Sequence, residues 1–287
     1  MKIAFDPDVI RYLSITDMVH KISEMGFKYI EQSPHPQILP FYKHPKASKE
    51  IITEYKKVLK ETGVRISSMI PIYNWSGPEE ERRQAAVKNW KRAIEIAIEL
   101  DVNVMNTELA GDPHQPVICE EMFYKTMEEL LPIFEREGIR LDIQSHPYDF
   151  CENGNETVDI VKSFRSNHVK YLYCAAHTFF YDNGTGDVAG MLEYAGDDLS
   201  HVIIADTLNQ TKSCRYIVNP PGVSATVHQH VGLGEGDVNF DAFFQKLREM
   251  KFAQRDDTIA SVSLFGFPEK MSYLGPETLA RIKKELL

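Results

Sequence analysis

The chain repeats one structural pattern at a nearly constant interval in its first half. Four segments each combine the end of an amphipathic helix, one turn residue and a short apolar strand: SEMGFKYIEQ, KETGVRISSM, IELDVNVMNT and EREGIRLDIQ. Their turn residues, Gly26, Gly63, Asp101 and Gly138, follow one another at spacings of 37, 38 and 37 residues. Helices that alternate regularly with strands predict a parallel sheet whose strands are joined by crossover helices.

The second half of the chain continues this alternation with less regular spacing. We predict strands near 2–6, 28–32, 64–70, 102–108, 139–145, 169–174, 200–206 and 258–265. We predict helices near 15–25, 48–62, 78–100, 119–137, 155–167, 187–197, 239–250 and 276–287. Eight such units close a barrel, so the sequence predicts a single α/β domain over 1–287, a (β/α)₈ TIM barrel. The alternative is an open doubly wound sheet, which favours a glycine-rich turn after the first strand, and FDPDVIRYLS has no glycine.

Charge and cysteine content disfavour several classes of function. The formal net charge of −10 disfavours nucleic acid as a partner, because a nucleic-acid footprint needs a basic face. Four cysteines without a C-x-x-C pair disfavour a thiolate-rich zinc site and are typical of a reducing compartment. No segment resembles a signal peptide or a membrane span, so we expect a cytoplasmic protein with no membrane partner.

Polar side chains occur where the predicted strands end. In a TIM barrel these positions and the loops that follow them form the functional face. They are Asp6, Glu31, Asn106, Glu108, Gln144, His146, Cys174, His177 and Asp206, joined by Lys212, Arg215, His228 and His230 of the long seventh loop. A set dominated by carboxylates and imidazoles suits zinc, manganese or cobalt.

The sharpest local motif is His228-Gln229-His230. Alternate residues of an extended segment point to the same side, so the two imidazoles could share a metal ion. Arg215, in the same loop, could clamp a phosphate or a carboxylate.

Two long segments resemble the xylose isomerase-like barrel superfamily, which groups sugar isomerases and epimerases with apurinic endonucleases. They are RRQAAVKNWKRAIEIAIELDVNVMN, similar to that superfamily's third helix and fourth strand, and HVGLGEGDVNFDAFFQKLREMKF, which contains the pattern G-x-G-x-[VIL]-[DN]-[FWY]. Within the superfamily, HPYDF, YCAAHTF, RYIVNPPG and VHQH resemble the H proteins of myo-inositol catabolism. The resemblance implies a sugar or sugar-phosphate isomerase or epimerase that acts on a keto-sugar or cyclitol, and a homodimer is typical of such barrels.

The sequence departs from the superfamily's usual metal site at three strands. Gln144 stands where a glutamate is expected, Cys174 where an aspartate is expected, and Ile203 where a histidine is expected. Glu108, His177, His228 and His230 fall where the endonuclease branch carries some of its zinc ligands. The resemblance therefore implies a divalent metal, Zn, Mn or Co, held by His177, His228, His230 and Glu108.

The preferred function is proton transfer next to a carbonyl, which needs a base and a group that stabilises the enediolate. We predict Glu108 and Asp206 as candidate bases. We predict substrate contacts from Asp6, Glu31, Gln144, His146, Lys212 and Arg215. The first alternative is a non-catalytic sugar- or cyclitol-binding barrel with a degenerate metal site. The last is an apurinic endonuclease-like hydrolase, which the lack of a basic rim disfavours.

Overall fold

A computed structural model describes residues 1–178, 186–208, 230–265 and 268–287. The described residues form eight parallel strands, each hydrogen-bonded to the next, and the eighth pairs with the first to close the barrel. The strands are β1 (Lys2–Phe5), β2 (Tyr29–Gln32), β3 (Arg65–Met69), β4 (Val104–Glu108), β5 (Arg140–Gln144), β6 (Val169–Cys174), β7 (Leu199–Ile204) and β8 (Ile259–Val262). The predicted α/β fold, a (β/α)₈ TIM barrel, is confirmed, with every predicted strand in place.

Helices surround the barrel in the order expected from the repeat. They are α1 (Ile15–Glu24), α2 (Lys49–Thr62), α3 (Glu80–Glu99), α4 (Pro116–Glu137), α5 (Gly154–Ser163), α6 (Ala175–Thr178), α7 (Val188–Ala195), α8 (Phe240–Glu249) and α9 (Met271–Leu286). The short helix α6 was not predicted, and two helices begin three or more residues before the predicted start. α4 begins at Pro116, because a proline at the first helical position loses no hydrogen bond. α9 begins at Met271 and contains Pro276, the residue predicted as its first, in its interior.

The turn residues of the repeat end their helices as the pattern predicts. Gly63 and Gly138 adopt left-handed φ angles of 70° and 65° at the ends of α2 and α4. Asp101 is the second residue after α3 and has a φ of 58°, a left-handed conformation that aspartate tolerates better than most residues. These turns fix where each strand starts and therefore which residue stands at its carboxyl end.

Aromatic packing between α3 and α4 secures the layer behind the fourth strand. Trp75 and Trp90 are fully buried and stack with ring centroids 4.8 Å apart, and Phe123 meets Trp75 edge-on at 5.1 Å. The indole Nε1 of Trp75 donates to the backbone carbonyl of Glu108 at 3.0 Å. This contact ties the carboxyl end of β4 to the helical layer. Across the described residues, no helix is both long and apolar enough to cross a membrane.

Candidate active site

A cavity of about 290 Å³ opens at the carboxyl ends of the strands. Seven of the residues predicted from strand ends and loops line it: Asp6, Glu31, Glu108, Gln144, His146, His177 and His230. They meet because the carboxyl ends of parallel strands in a closed barrel all lie on one face. Lys212, Arg215 and His228 lie outside the described residues.

Two histidines face each other inside this cavity. His177, in the short helix α6, and His230 are 3 % and 2 % exposed, and their Nε2 atoms are 3.0 Å apart. Each Nδ1 lies against a backbone carbonyl: that of Ser145 at 3.2 Å for His177, and that of Ser263 at 3.1 Å for His230. A carbonyl only accepts, so both rings carry their proton on Nδ1 when neutral and present a lone pair at Nε2.

This arrangement fits a metal ion. Two lone pairs 3.0 Å apart repel each other unless a proton or a cation lies between them. A tetrahedral zinc ion with bonds of about 2.0–2.1 Å holds two nitrogens about 3.3 Å apart, close to the observed separation. The carbonyls behind the rings are the usual outer partners of metal-bound histidine. Cys174 brings a third donor within 4.8 Å of a ring nitrogen of each histidine.

Asp6 is linked to this histidine pair through one serine. Ser263 donates from Oγ to the Asp6 carboxylate at 2.7 Å, and the same Oγ is 3.2 Å from Nδ1 of His230. Burial raises the pKa of Asp6 to about 7, and the nearby carboxylates of Asp8 and Glu31 add to the increase. Asp6 therefore titrates near neutral pH at the edge of the candidate metal centre.

Glu108 belongs to a different group, at the ends of β4 and β5. Its Oε1 lies 3.6 Å from Nε2 of His146, and donor atoms of Glu108, His146 and Asp149 all lie within 4.8 Å of one another. Burial raises the pKa of Glu108 to about 7 and lowers that of His146 to about 4. The His146 ring packs edge-on against the His177 ring, with centroids 4.7 Å apart, so the two groups adjoin.

Glu31 lies above a buried charge network inside the barrel. Its carboxylate accepts from Asn106 Nδ2 at 2.7 Å and lies 3.2 Å from Nε2 of His201. His201 is fully buried, with Nδ1 3.5 Å from Asp142. Burial alone would lower the pKa of His201, but the carboxylates of Glu31 and Asp142 outweigh burial and raise it. His201 lies near the start of β7, which suggests a residue of the bottom face of the barrel. Its ring instead contacts Glu31, a carboxylate that lines the cavity.

Asp206 anchors the glycine-rich segment recognised in the sequence. Its two carboxylate oxygens accept from the backbone amides of Thr207, Gly234 and Val238 at 2.8, 2.9 and 3.1 Å. Its backbone exchanges two hydrogen bonds with Val231, the residue after His230. Asp206 is not among the described residues that line the cavity, and its amide contacts fix the position of His230.

A substitution at Gly236 tests the contacts between the Asp206 carboxylate and the backbone amides. A Cβ atom at Gly236 would lie 2.6 Å from the Thr207 amide nitrogen and would also overlap the Asp206 carboxylate. We expect Gly236→Ala to lower the free energy of unfolding by about 1–3 kcal/mol, the usual effect of overpacking. Gly63→Ala is the control, because its φ of 70° strains the alanine but nothing lies within 4 Å of the added atom. Urea titrations of both variants measure the effect, and equal stabilities would contradict the steric explanation.

Sequence reasoning missed Asp149 and Ser263. Asp149 is buried and accepts from the Ala110 amide at 2.8 Å, and it lies in HPYDF, a motif noted only for its resemblance. Ser263 follows the last residue of β8, a position where a carboxylate is the expected functional group and a hydroxyl gives little signal. The predicted ligand set is also divided by the structure, which pairs His177 with His230 and groups Glu108 with His146.

Known proteins share this architecture at low sequence identity. No curated protein sequence matches the chain. The structure of a D-tagatose 3-epimerase-like protein superimposes with a TM-score of 0.74 at 20% identity, over 100% of both chains. D-psicose 3-epimerase from Clostridium cellulolyticum H10, solved with D-tagatose, gives 0.75 at 15% identity, over 100% of this chain and 99% of that one. The IOLI protein with a bound zinc atom gives 0.72 at 17% identity, again over 100% and 99%.

At these identities the likeness shows a shared fold. The match to a protein family is the stronger finding. The model of the family described as xylose isomerase-like TIM barrel matches residues 19–279 of the chain. The resemblance noted from the third helix and the glycine-rich segment is thus confirmed. The chain belongs to the xylose isomerase-like TIM barrel family.

Proposed function

We propose that the protein moves a proton at a carbon next to a carbonyl group, as an isomerase or epimerase of a keto-sugar or cyclitol. The observation that carries the proposal is the shared cavity of Glu108 and the His177–His230 pair. A carboxylate whose pKa is about 7 can take a proton near neutral pH, and two imidazole lone pairs can hold a Lewis acid. Two structural relatives, a D-tagatose 3-epimerase-like protein and D-psicose 3-epimerase, support the same chemistry.

Glu108 is the candidate base, and we assign no proton transfer to Asp206. The Asp206 carboxylate already accepts three backbone hydrogen bonds and lies away from the cavity lining. Glu108 lines the cavity and is 8 % exposed, so its carboxylate is accessible to a bound molecule and largely shielded from water. His146, beside it, remains neutral at pH 7 and can donate to or accept from a substrate hydroxyl.

His177 and His230 would hold the divalent metal, Zn, Mn or Co, with Cys174 as a further donor within 4.8 Å. Such a metal would polarise the substrate carbonyl as a Lewis acid. His228, predicted as a ligand beside His230, is retained in the proposal, although it lies outside the described residues. If no metal binds, the oxyanion would need a cation such as protonated His177, Lys212 or Arg215.

The charge of the cavity favours an uncharged polyol over a phosphorylated one. Its described lining includes the carboxylates of Asp6, Asp8, Glu31 and Glu108, and no described lining residue is a lysine or arginine. A phosphate group would therefore require Lys212 or Arg215 of the seventh loop. Asp6, Glu31 and Gln144 provide oxygen acceptors for several hydroxyl groups, which suits a hexose or a cyclitol. The IOLI-like fold and the inositol-type motifs make keto-inositols part of this class.

Exchange with solvent deuterium tests the reaction even while the product is unidentified. Protein loaded with Zn, Mn or Co would be incubated in D₂O with a panel of free ketohexoses, ketopentoses and keto-inositols. Proton NMR would then follow the hydrogens next to each carbonyl. We expect one or more members to lose this signal at a rate proportional to protein concentration. Binding of a panel member without any exchange, for all three metals, would overturn the isomerase proposal and favour the sugar-binding barrel.

Metal content tests the centre independently. We expect protein purified without a histidine tag to retain about one equivalent of divalent metal, measured by plasma mass spectrometry, and His177→Ala/His230→Ala to retain less than about a tenth of it. The reason is that both lone pairs facing the centre are removed. His20→Ala is the matched control, because His20 is exposed on α1. Equal metal contents in the double variant and the wild type would exclude the histidine pair as the ligands.

A further inference from the structure

A second set of potential ligands lies beside the histidine pair. Glu108, His146 and Asp149 point their donor atoms at one another within 4.8 Å, and the two carboxyl groups are each 8 % exposed. Ala110 holds Asp149 in place, since its backbone amide donates to Asp149 Oδ2 at 2.8 Å. The set contains two carboxylates and one imidazole, and it shares no residue with Cys174, His177 and His230.

The described lining of the cavity contains no lysine or arginine that could balance the charge of two buried carboxylates. Buried carboxylates this close repel each other, and each must bind a proton, a cation or several donors. The geometry is therefore one that a divalent cation would stabilise.

Gln144 provides an independent indication of a ligand at this place. It pairs in register with Glu108 across β4 and β5, so the two side chains extend to the same side of the barrel wall. Gln144 lines the same cavity and is 1 % exposed, and its Oε1 has no hydrogen-bond partner among the described residues. A buried amide oxygen is rarely left without a partner, and amide oxygens are ligands of hard cations.

We propose that Glu108, His146 and Asp149, together with the Gln144 amide oxygen, bind a second divalent cation, which their chemistry identifies as Mn²⁺. Three oxygen donors select the harder divalent ions, and one imidazole favours manganese over magnesium or calcium. The histidine pair, with its nitrogen donors and neighbouring thiol, suits zinc better. The two centres thus differ in the ion that each prefers.

A cation in the second site should affect the proposed proton transfer, and this one point rests on the proposed function. A cation bound by Glu108 uses the lone pairs that would accept the substrate proton. Excess Mn²⁺ should therefore slow deuterium exchange in protein whose histidine site already holds zinc. Binding of Mn²⁺ does not depend on the proposed reaction, so the two can fail separately.

Manganese binding to zinc-loaded protein tests the site. Full-length protein with one equivalent of zinc would be titrated with Mn²⁺, and free Mn²⁺ would be measured from its six-line electron paramagnetic resonance signal. We expect one Mn²⁺ per chain in the wild type. In Asp149→Asn the affinity should fall at least about tenfold, since even an outer partner of a ligand commonly changes affinity by that factor. Glu120→Gln, an exposed carboxylate on α4, is the matched control and should bind as the wild type does.

One further variant keeps the test decisive. Gln144→Met removes the amide oxygen at nearly constant volume and should weaken Mn²⁺ binding even if Asp149→Asn folds poorly. Absence of Mn²⁺ binding to the zinc-loaded wild type would overturn the proposal. Unchanged affinity in both Asp149→Asn and Gln144→Met would overturn it as well.

Discussion

Glu108→Gln should slow deuterium exchange next to the substrate carbonyl by about 10²–10⁴-fold, the usual contribution of a positioned general base. The variant keeps the size and hydrogen-bonding capacity of the side chain, and the backbone contact from Trp75 to the residue 108 carbonyl is unaffected. Substrate affinity should therefore change much less than the exchange rate. Glu128→Gln, an exposed position on α4, is the control.

The pH dependence of exchange provides a second measurement on the same residue. Burial raises the Glu108 pKa from 4.5 to about 7, and only the ionised carboxylate accepts a proton. The rate should therefore rise tenfold per pH unit below about 7 and level off above it. An exchange rate that is constant between pH 5.5 and 8, or a Glu108→Gln variant with wild-type exchange, would remove Glu108 from this role.

The raised pKa of Glu108 also affects stability: the exchange rate should rise with pH, whereas the contribution of this residue to the free energy of unfolding should fall. A carboxyl group whose pKa is raised on folding stabilises the protein fully below its unfolded pKa of 4.5 and loses that contribution as pH rises through about 7. Glu108→Gln has no such titration. Between pH 5 and 8, its free energy of unfolding should consequently rise relative to that of the wild type, as urea titrations at several pH values would show.

Asp142→Asn should destabilise the protein by about 3–5 kcal/mol, the typical effect of removing one partner from a buried ion pair. Asp142 is fully buried; Arg140 donates to it twice, at 2.7 and 2.9 Å, and Ser200 Oγ donates at 2.8 Å. It also lies 3.5 Å from the buried His201 ring. An amide in its place leaves the Arg140 guanidinium without this carboxylate and the His201 ring with Glu31 as its remaining carboxylate partner.

At acid pH, the difference in free energy of unfolding between the wild type and Asp142→Asn should become smaller. Burial alone would raise the pKa of Asp142, but Arg140 and His201 outweigh burial and lower it from 3.8 to about 2. Asp142 therefore stabilises the folded protein fully above about pH 4 and loses this contribution as pH falls through about 2. Urea titrations of wild type and variant at pH 7 and pH 3 measure both effects.

Asp257→Asn is the matched control for Asp142→Asn. Its carboxylate pairs with Lys2 at 3.4 Å but is 58% exposed, and exposed pairs contribute about 0–1 kcal/mol. Loss of less than about 1 kcal/mol in Asp142→Asn would show that the buried network inside the barrel contributes little to stability.

Local pattern was enough to predict the barrel. The turn residues from Gly26 to Gly138 recur at the interval of one βα unit, and helix and strand periodicity depend mainly on near neighbours in the chain. The strand ends followed from the same pattern, and so did the face on which Glu31, Glu108 and Gln144 meet. Prediction failed at the start of α9, because proline is common at the first turn of a helix but does not define it.

The sequence by itself determined the fold, the functional face and most of the polar residues that reach it. Only the tertiary structure decided how these residues are grouped. It joined His177 to His230, placed Asp149 beside Glu108 and His201 beneath Glu31, and directed Asp206 to backbone amides. The physical reason is that hydrogen bonds and charge interactions depend on separations of a few ångströms. Loop conformations and contacts between distant strands set those separations, and residue spacing along the chain does not record them.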